Sequence, residues 1–218
     1  VLLAGATSAD YEFNELEMAS ALRYIGLKEG LKVRRTKYGI PVPADADYVL
    51  EGRLTSETHD EGPFVDITGT YDTVRKQPVF EVDCLYRRQD AVFQLVLSGG
   101  IEHYLLMGLP REPVIFRTVR QAVPRVHAVR LTEGSCCWLH GVVSITKNKE
   151  GDAMNAAMAA FTGHPSMKQV IIVDKDVDIF DDKAVEWAVA TRFQASRGLL
   201  VVNNAAGNFI SPTERLSP

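Results

Sequence analysis

After Ser98-Gly99-Gly100 the hydrophobic pattern of this chain changes character, and that change constrains the fold more than any other feature. From Leu31 to Leu97 the apolar residues come in short runs with period two: Leu31–Arg34, Tyr48–Leu54, Phe64–Tyr71, Val79–Tyr86 and Ala91–Leu97. Turn signals at Lys76-Gln77-Pro78 and Arg88-Gln89-Asp90 separate them, and Gly52 marks a β-bulge. Such spacing predicts a small barrel or sandwich rather than a parallel sheet. Beyond Gly100, helical and strand patterns alternate. Helices are expected over Ile101–Met107, Glu112–Ala122, Asp152–Phe161 and Asp182–Arg192. Strands are expected over Val126–Leu131, Trp138–Thr146, Gln169–Asp174 and Leu199–Val202. That alternation predicts an α/β sandwich.

Ahead of the β region, Val1–Ala6 reads as a short buried strand. Asp10–Leu27 reads as a helix, with Phe13, Leu16, Ala19, Leu22 and Ile25 on one face. Asp10 or Asn14 would cap it, and Gly26 and Gly30 would end it. With 218 residues, about 70% of the unfolded chain's surface can be buried, so no staples are needed. Lys and Arg number 24 against 28 Asp and Glu, a net charge of −4, which argues against a broad nucleic-acid footprint. Cys84, Cys136 and Cys137 are too few for a disulfide scaffold. The last two would alternate across a strand, so a reduced, cytoplasmic protein is expected. No apolar run reaches the length of a membrane span.

Several chemistries are absent from the pattern. There is no Gly-rich phosphate loop, no G-x-S-x-G elbow, and no metal-ligand spacing among the five histidines. Asp174-Lys175-Asp176-Val177-Asp178-Ile179 imitates a calcium loop but has Ile179 where a Gly is needed and Val185 where a Glu is needed. It reads instead as a strand end leading into a helix cap. The informative stretch is Asp60-Glu61-Gly62-Pro63-Phe64-Val65-Asp66. Gly62 and Pro63 fix the backbone between two carboxylates, and Phe64 and Asp66 would share a strand face. An apolar wall beside a carboxyl raises its pKa, the condition for a general acid. Acid-flanked Gly-Pro turns are also a common structural device.

Glu61-Gly62-Pro63-Phe64-Val65-Asp66-Ile67-Thr68-Gly69-Thr70-Tyr71 resembles the signature of the UbiD-type decarboxylases, non-oxidative carboxy-lyases that use prenylated FMN. Asn14-Glu15-Leu16-Glu17-Met18-Ala19, Val42–Asp47 with Leu50-Glu51-Gly52, Met107–Pro113, Thr132-Glu133-Gly134, Asp174–Asp178 and Ala190-Thr191-Arg192 follow in the family's order. The resemblance implies an α+β or α/β protein. A split β-barrel, flavin-reductase-like region over residues 1–98 would be incomplete at its N-terminal end, and a C-terminal α/β domain would follow over 99–218.

The resemblance also implies roles. Glu15 matches the carboxylate on the divalent metal, usually Mn²⁺, that holds the cofactor phosphate. Ala6 and Thr7 lie where the family offers backbone groups to that phosphate and to K⁺. Glu61 matches the acid that protonates the product carbon after CO₂ leaves, and Asp66 matches the second carboxylate of the network. The implied substrate is an α,β-unsaturated or aromatic acid, such as anhydromevalonate phosphate or a polyprenyl-hydroxybenzoate. If the substrate is phosphorylated, Arg111, Arg117 or Arg120 would offer positive charge, though surface solvation is the expected role of each. A flavin prenyltransferase would supply the cofactor. Homo-oligomers would form through apolar helix faces such as Ala156, Ala159 and Ala160.

Family members run to roughly twice this length, beyond a typical single domain. Their metal-binding Asn and His, and the Arg between the carboxylates, are expected ahead of Val1, and a Lys beyond Pro218. The alternatives are a non-catalytic scaffold or oligomerisation subunit that keeps the fold, and a split-barrel flavin reductase. Trp138 and Trp187 are expected in the core. His103 is expected on the surface or facing the pocket.

Overall fold

A computed structural model describes residues 2–7 and 12–205. The chain divides into two compact units, Val1–Ser98 and Gly99–Pro218.

The first unit opens with a helical turn, α1 (Leu2–Gly5), where a strand is expected. A run this short carries too few positions for its period to separate helix from strand. Helix α2 (Glu15–Leu27) follows. Asn14 caps it, its side-chain oxygen accepting from the N–H groups of Leu16 at 3.0 Å and Glu17 at 3.4 Å. The other expected cap, Asp10, lies outside the described residues. The helix ends at Lys28, in the left-handed conformation with φ 58° and its N–H on the Tyr24 carbonyl, rather than at Gly26 or Gly30.

Strands β1 (Val33–Arg35) and β2 (Pro41–Pro43) pair antiparallel. Strands β3 (Tyr48–Glu61) and β4 (Arg75–Arg87) form a long antiparallel ribbon. The register shifts between Glu51 and Gly52, and a side chain at Gly52 would collide with the Glu81 carbonyl, so the bulge needs glycine. Lys76-Gln77-Pro78 is not a turn but lies within β4. Pro78 stands opposite Thr58, beside a second register shift where a missing ladder N–H is tolerated. Phe64–Tyr71 is a tight loop and Ala91–Leu97 is irregular, so neither is the expected strand. The four strands make two separate two-stranded sheets. The expected split barrel is not seen: no closed barrel forms among the described residues, because closure needs further strands to join these edges.

The second unit follows its sequence pattern closely. It comprises α3 (Ile101–Gly108), α4 (Glu112–Ala122), β5 (Val126–Leu131), β6 (His140–Ile145), α5 (Asp152–Gly163), β7 (Gln169–Asp174), α6 (Asp182–Arg192) and α7 (Ala195–Gly198). The sheet order is β5-β6-β7, antiparallel then parallel, with α5 as the crossover. Alternate residues serve opposite faces. Val129, Leu131, Val143 and Ile145 pack with Ile115 and Val119 of α4 and Ala156 and Ala160 of α5. Val142 and Val173 pack with Val185 and Ala188 of α6. The result is a sheet with helices on both faces.

Four expectations are corrected here. Ala156 and Ala160 are wholly buried inside their own unit, with Ala159 packed against the same cluster, so this face is core and not an oligomer surface. Trp138 is core, but Trp187 is 55% exposed, with the Arg192 guanidinium 5.0 Å from its ring centre. Cys136 and Cys137 do not alternate on a strand. Both have positive φ, 62° and 50°, in the turn after a short 3₁₀ segment (Glu133–Ser135), and both are free thiols. Leu199–Val202 is irregular.

Candidate active site

The carboxylate motif occupies the loop that closes the β3–β4 ribbon. Glu61 is the last residue of β3 and pairs with Arg75, the first of β4. Gly62, at φ 95°, turns the chain, and the Gly62–Pro63 peptide is cis. Val65 and Tyr71 form an isolated antiparallel bridge. Between them the Asp66 N–H donates to the Thr70 carbonyl and the Gly69 N–H donates to the Asp66 carbonyl, both at 2.9 Å. Gly69, with φ 71°, lets that turn close. Ile67 is fully buried and anchors the loop tip. Its N–H donates to the Asp66 carboxylate at 2.6 Å, so Asp66 is held by an anchored backbone.

A second acid-base pair stands at the base of this loop. The buried Asp72 carboxylate meets the Arg75 guanidinium at 2.8 Å, and the Asp72 N–H donates to the Phe64 carbonyl at 2.8 Å. Thus Arg75 sits across the ribbon from Glu61 while its charge is given to Asp72. Asp72 and Arg75 escaped the sequence reading, although their i,i+3 spacing just after the motif was a usable signal. Asp60, on the other side of Glu61, pairs with Lys76 at 2.8 Å. The Glu61 carboxylate is exposed and forms no ion pair or hydrogen bond among the described residues. Phe64 and Asp66 flank the Val65–Tyr71 bridge on one short extended segment, as expected; Phe64 is 43% exposed and Glu61 is exposed too, so these residues build no desolvating wall there.

The remaining expected site residues lie elsewhere in the same unit. Glu15 is the first residue of α2, exposed, and its carboxylate has no partner among the described residues. The Ala6 N–H donates to Leu2 and the Thr7 N–H to Ala4, at 2.9 and 3.2 Å. The Thr7 hydroxyl donates to the Leu3 carbonyl at 2.9 Å. These donors are already used locally, which leaves carbonyl oxygens, groups suited to a cation and not to a phosphate. Among the described residues no group of three or more His, Cys, Asp or Glu converges as a metal site. Glu15 fits a hard cation in kind, being an oxygen donor, but it is one ligand where several are needed. The Asp174–Asp178 run is structural: Asp176 grips Arg192 at 2.7 and 3.0 Å, and Asp181 caps α6.

In the second unit, Arg111 is half-buried, not a solvated surface group, and lies 5.2 Å from the Trp138 ring centre. Burial holds its pKa below the usual value. Arg117 and Arg120 are exposed. His164 packs edge-on to Trp138, with ring centres 4.4 Å apart. His103 accepts the Gly99 N–H through Nδ1 at 3.2 Å.

Nearly the whole chain matches known family models. Residues 1–101 match the 3-octaprenyl-4-hydroxybenzoate carboxy-lyase Rift-related domain, and residues 104–217 match the C-terminal domain of the same enzymes. The chain belongs to the UbiD family. It is 50% identical over 216 residues to the anhydromevalonate phosphate decarboxylase of Methanocaldococcus jannaschii, covering 99% of this chain and 50% of that protein. It is 30% identical to the gallate decarboxylase of Lactiplantibacillus plantarum, covering 94% of this chain and 44% of that one. The UbiD-class enzyme HmfF from Pelotomaculum thermopropionicum, solved in complex with FMN, superimposes with a TM-score of 0.90 at 41% identity, covering 98% of this chain and 48% of that one. An evolved dimeric form of HmfF, solved with prFMN, gives 0.83. The chain spans about half the length of the UbiD relatives it matches. No helix among the described residues is long and apolar enough to cross a membrane.

Proposed function

We propose that this chain carries the acid-bearing part of a prenylated-FMN-dependent carboxy-lyase acting on a small α,β-unsaturated acid, with anhydromevalonate phosphate as substrate. The observation that carries the reading is identity. Five anhydromevalonate phosphate decarboxylases match at 44–50%, against 30% for the gallate decarboxylase.

In this reading Glu61 is the acid that returns a proton to the carbon CO₂ has left. Glu61 stands at the end of β3, just before the turn at Gly62, and forms no ion pair among the described residues. Asp66, held by the Ile67 N–H, would be the second carboxylate of the network. The Asp72–Arg75 pair closes the loop base and keeps the Arg75 charge from binding Glu61 as a permanent counter-ion. Glu15 would give one oxygen to a divalent metal such as Mn²⁺, and carbonyls near Ala6 and Thr7 would suit K⁺. The flavin, when bound, supplies the electron sink for decarboxylation. A flavin prenyltransferase is the cofactor's source.

The test is CO₂ release from anhydromevalonate phosphate and from gallate by this chain together with the complementary half, reconstituted with prenylated FMN and Mn²⁺. Turnover of gallate alone would overturn the substrate assignment. Undiminished turnover in Glu61→Gln would overturn the acid.

A further inference from the structure

At the end of the β3–β4 ribbon away from Glu61, the first unit holds a cavity of about 220 Å³. Tyr48 and Arg87 pair at that end, and Glu61 and Arg75 pair at the other, about 40 Å away along the strand. Arg34 and Arg35 of β1, Arg87 of β4 and the following Arg88 line the cavity, together with Val42, Pro43, Ala46 and Val49. The apolar residues are half-buried and the arginines exposed, so an apolar inner wall carries a basic mouth. Hydrogen bonds fix that wall. The hydroxyl of Tyr86, which also lines the cavity, donates to the buried Glu51 at 2.7 Å and accepts the Lys37 N–H at 3.1 Å, and Glu51 accepts the Tyr38 N–H at 2.8 Å. No Asp or Glu lines the cavity, and the carboxylates that flank it in sequence are committed. Asp47 and Asp90 hold Arg88 at 3.1 and 2.7 Å, and Asp45 holds Arg23 at 3.4 Å. Arg34, Arg35 and Arg87 form no ion pair among the described residues, and Arg35 donates only to the Gly39 carbonyl, at 2.6 Å. A chain of net charge −4 thus gathers three uncompensated guanidiniums at one cavity. Like charges held together repel, and a bound anion offsets that cost.

We propose that this cavity binds a small phosphomonoester, its phosphoryl group on Arg34, Arg35 and Arg87 and its short hydrocarbon body against Val42 and Val49. Charge selects the phosphoryl group. A phosphomonoester brings close to two negative charges and three acceptor oxygens, which the planar forks of several arginines can share. A carboxylate brings one charge and two oxygens and would leave most of the repulsion in place. Size selects a short body, because the volume falls below the roughly 300–1,000 Å³ of pockets that take drug-sized ligands. The apolar wall selects an organic phosphate over inorganic phosphate, since each methylene it covers adds to affinity. The site shares no residue with the loop of Glu61 and Asp66, and it requires neither the flavin nor the acid role of Glu61.

The experiment titrates this chain with n-butyl phosphate, inorganic phosphate and n-butanol, and reads binding heat and amide chemical shifts. The expected result is one-to-one binding of n-butyl phosphate, with shifts over residues 34–36, 42–49 and 86–88. Inorganic phosphate should bind about tenfold more weakly, for want of about two covered methylenes, and n-butanol should not bind. Arg34→Gln and Arg87→Gln should each weaken n-butyl phosphate about tenfold or more, since each removes a charge-assisted hydrogen bond. Both positions are exposed, so neither substitution threatens the fold. Arg53→Gln, on the same ribbon but paired with Glu81 and outside the cavity, should leave binding unchanged. Four results would each overturn the proposal: no saturable binding, equal affinity for inorganic phosphate, equal affinity in both cavity variants, or shifts confined to residues 61–72. No readout depends on CO₂ release, so failure here and failure of the decarboxylase reading are distinguishable.

Discussion

Acidification should destabilise the second unit through one buried imidazole. His164 is 1% exposed, its Nε2–H donates to the Trp138 carbonyl at 2.9 Å, and its ring abuts the Trp138 indole. Burial chiefly, with Arg111 nearby, lowers its pKa to about 4, although the bond to Trp138 pulls the other way. The sign follows from proton linkage. In the unfolded chain the imidazole takes up a proton near pH 6.5, whereas in the folded chain it does so only near pH 4. The unfolded state therefore binds more protons between those values, and stability falls as pH falls across that window. At pH 5 the unfolded imidazole is about one and a half units below its ordinary pKa. At about 1.4 kcal/mol per unit, the loss is about 2 kcal/mol relative to neutral pH.

The perturbation is His164→Gln, whose amide can still donate toward Trp138 but does not titrate. Both tryptophans, Trp138 and Trp187, lie in the second unit, so urea unfolding followed by tryptophan fluorescence reports on it. Between pH 7.5 and pH 5 the native chain should lose about 2 kcal/mol more than the variant. Equal losses in the two proteins would refute the assignment, because every other titrating group is shared.

Three further outcomes are expected. Glu61→Gln in the reconstituted enzyme should lower kcat about 10²- to 10⁴-fold, as loss of a general acid does, measured by CO₂ release. Gly108→Ala should cost about 1–3 kcal/mol by thermal melt, since the new methyl would lie 2.5 Å from the Cys137 carbonyl oxygen and 2.6 Å from its Cβ. Burial raises the Glu51 pKa, but hydrogen bonds from the Thr36 and Tyr86 hydroxyls and from the Tyr38 and Lys37 N–H groups outweigh it and hold the group below its usual value. Its contribution to stability is thus full above the ordinary carboxylate pKa and lost as pH falls through the lower folded one. Glu51→Gln should speed amide exchange at Lys37 and Tyr38 at neutral pH and remove that acid dependence.

The limits of α4, β5, β7 and α6 were legible to the residue, because each is a complete period bounded by its own caps or turns, and packing on one sheet rewards the same alternation that the residues display. The bulge at Gly52 was legible for the same reason: local backbone demands write themselves into local residue types. What the sequence could not decide was which neighbour each element meets. Ala156 and Trp187 carry helical spacing in either place, yet one is sealed against α4 and the other lies outside. Arg75 could have bound Glu61, and only the folded loop shows its charge committed to Asp72. Periodicity is a property of a segment and is present before folding. Pairing and burial belong to contacts between segments distant in sequence, and these exist only once the tertiary structure has formed.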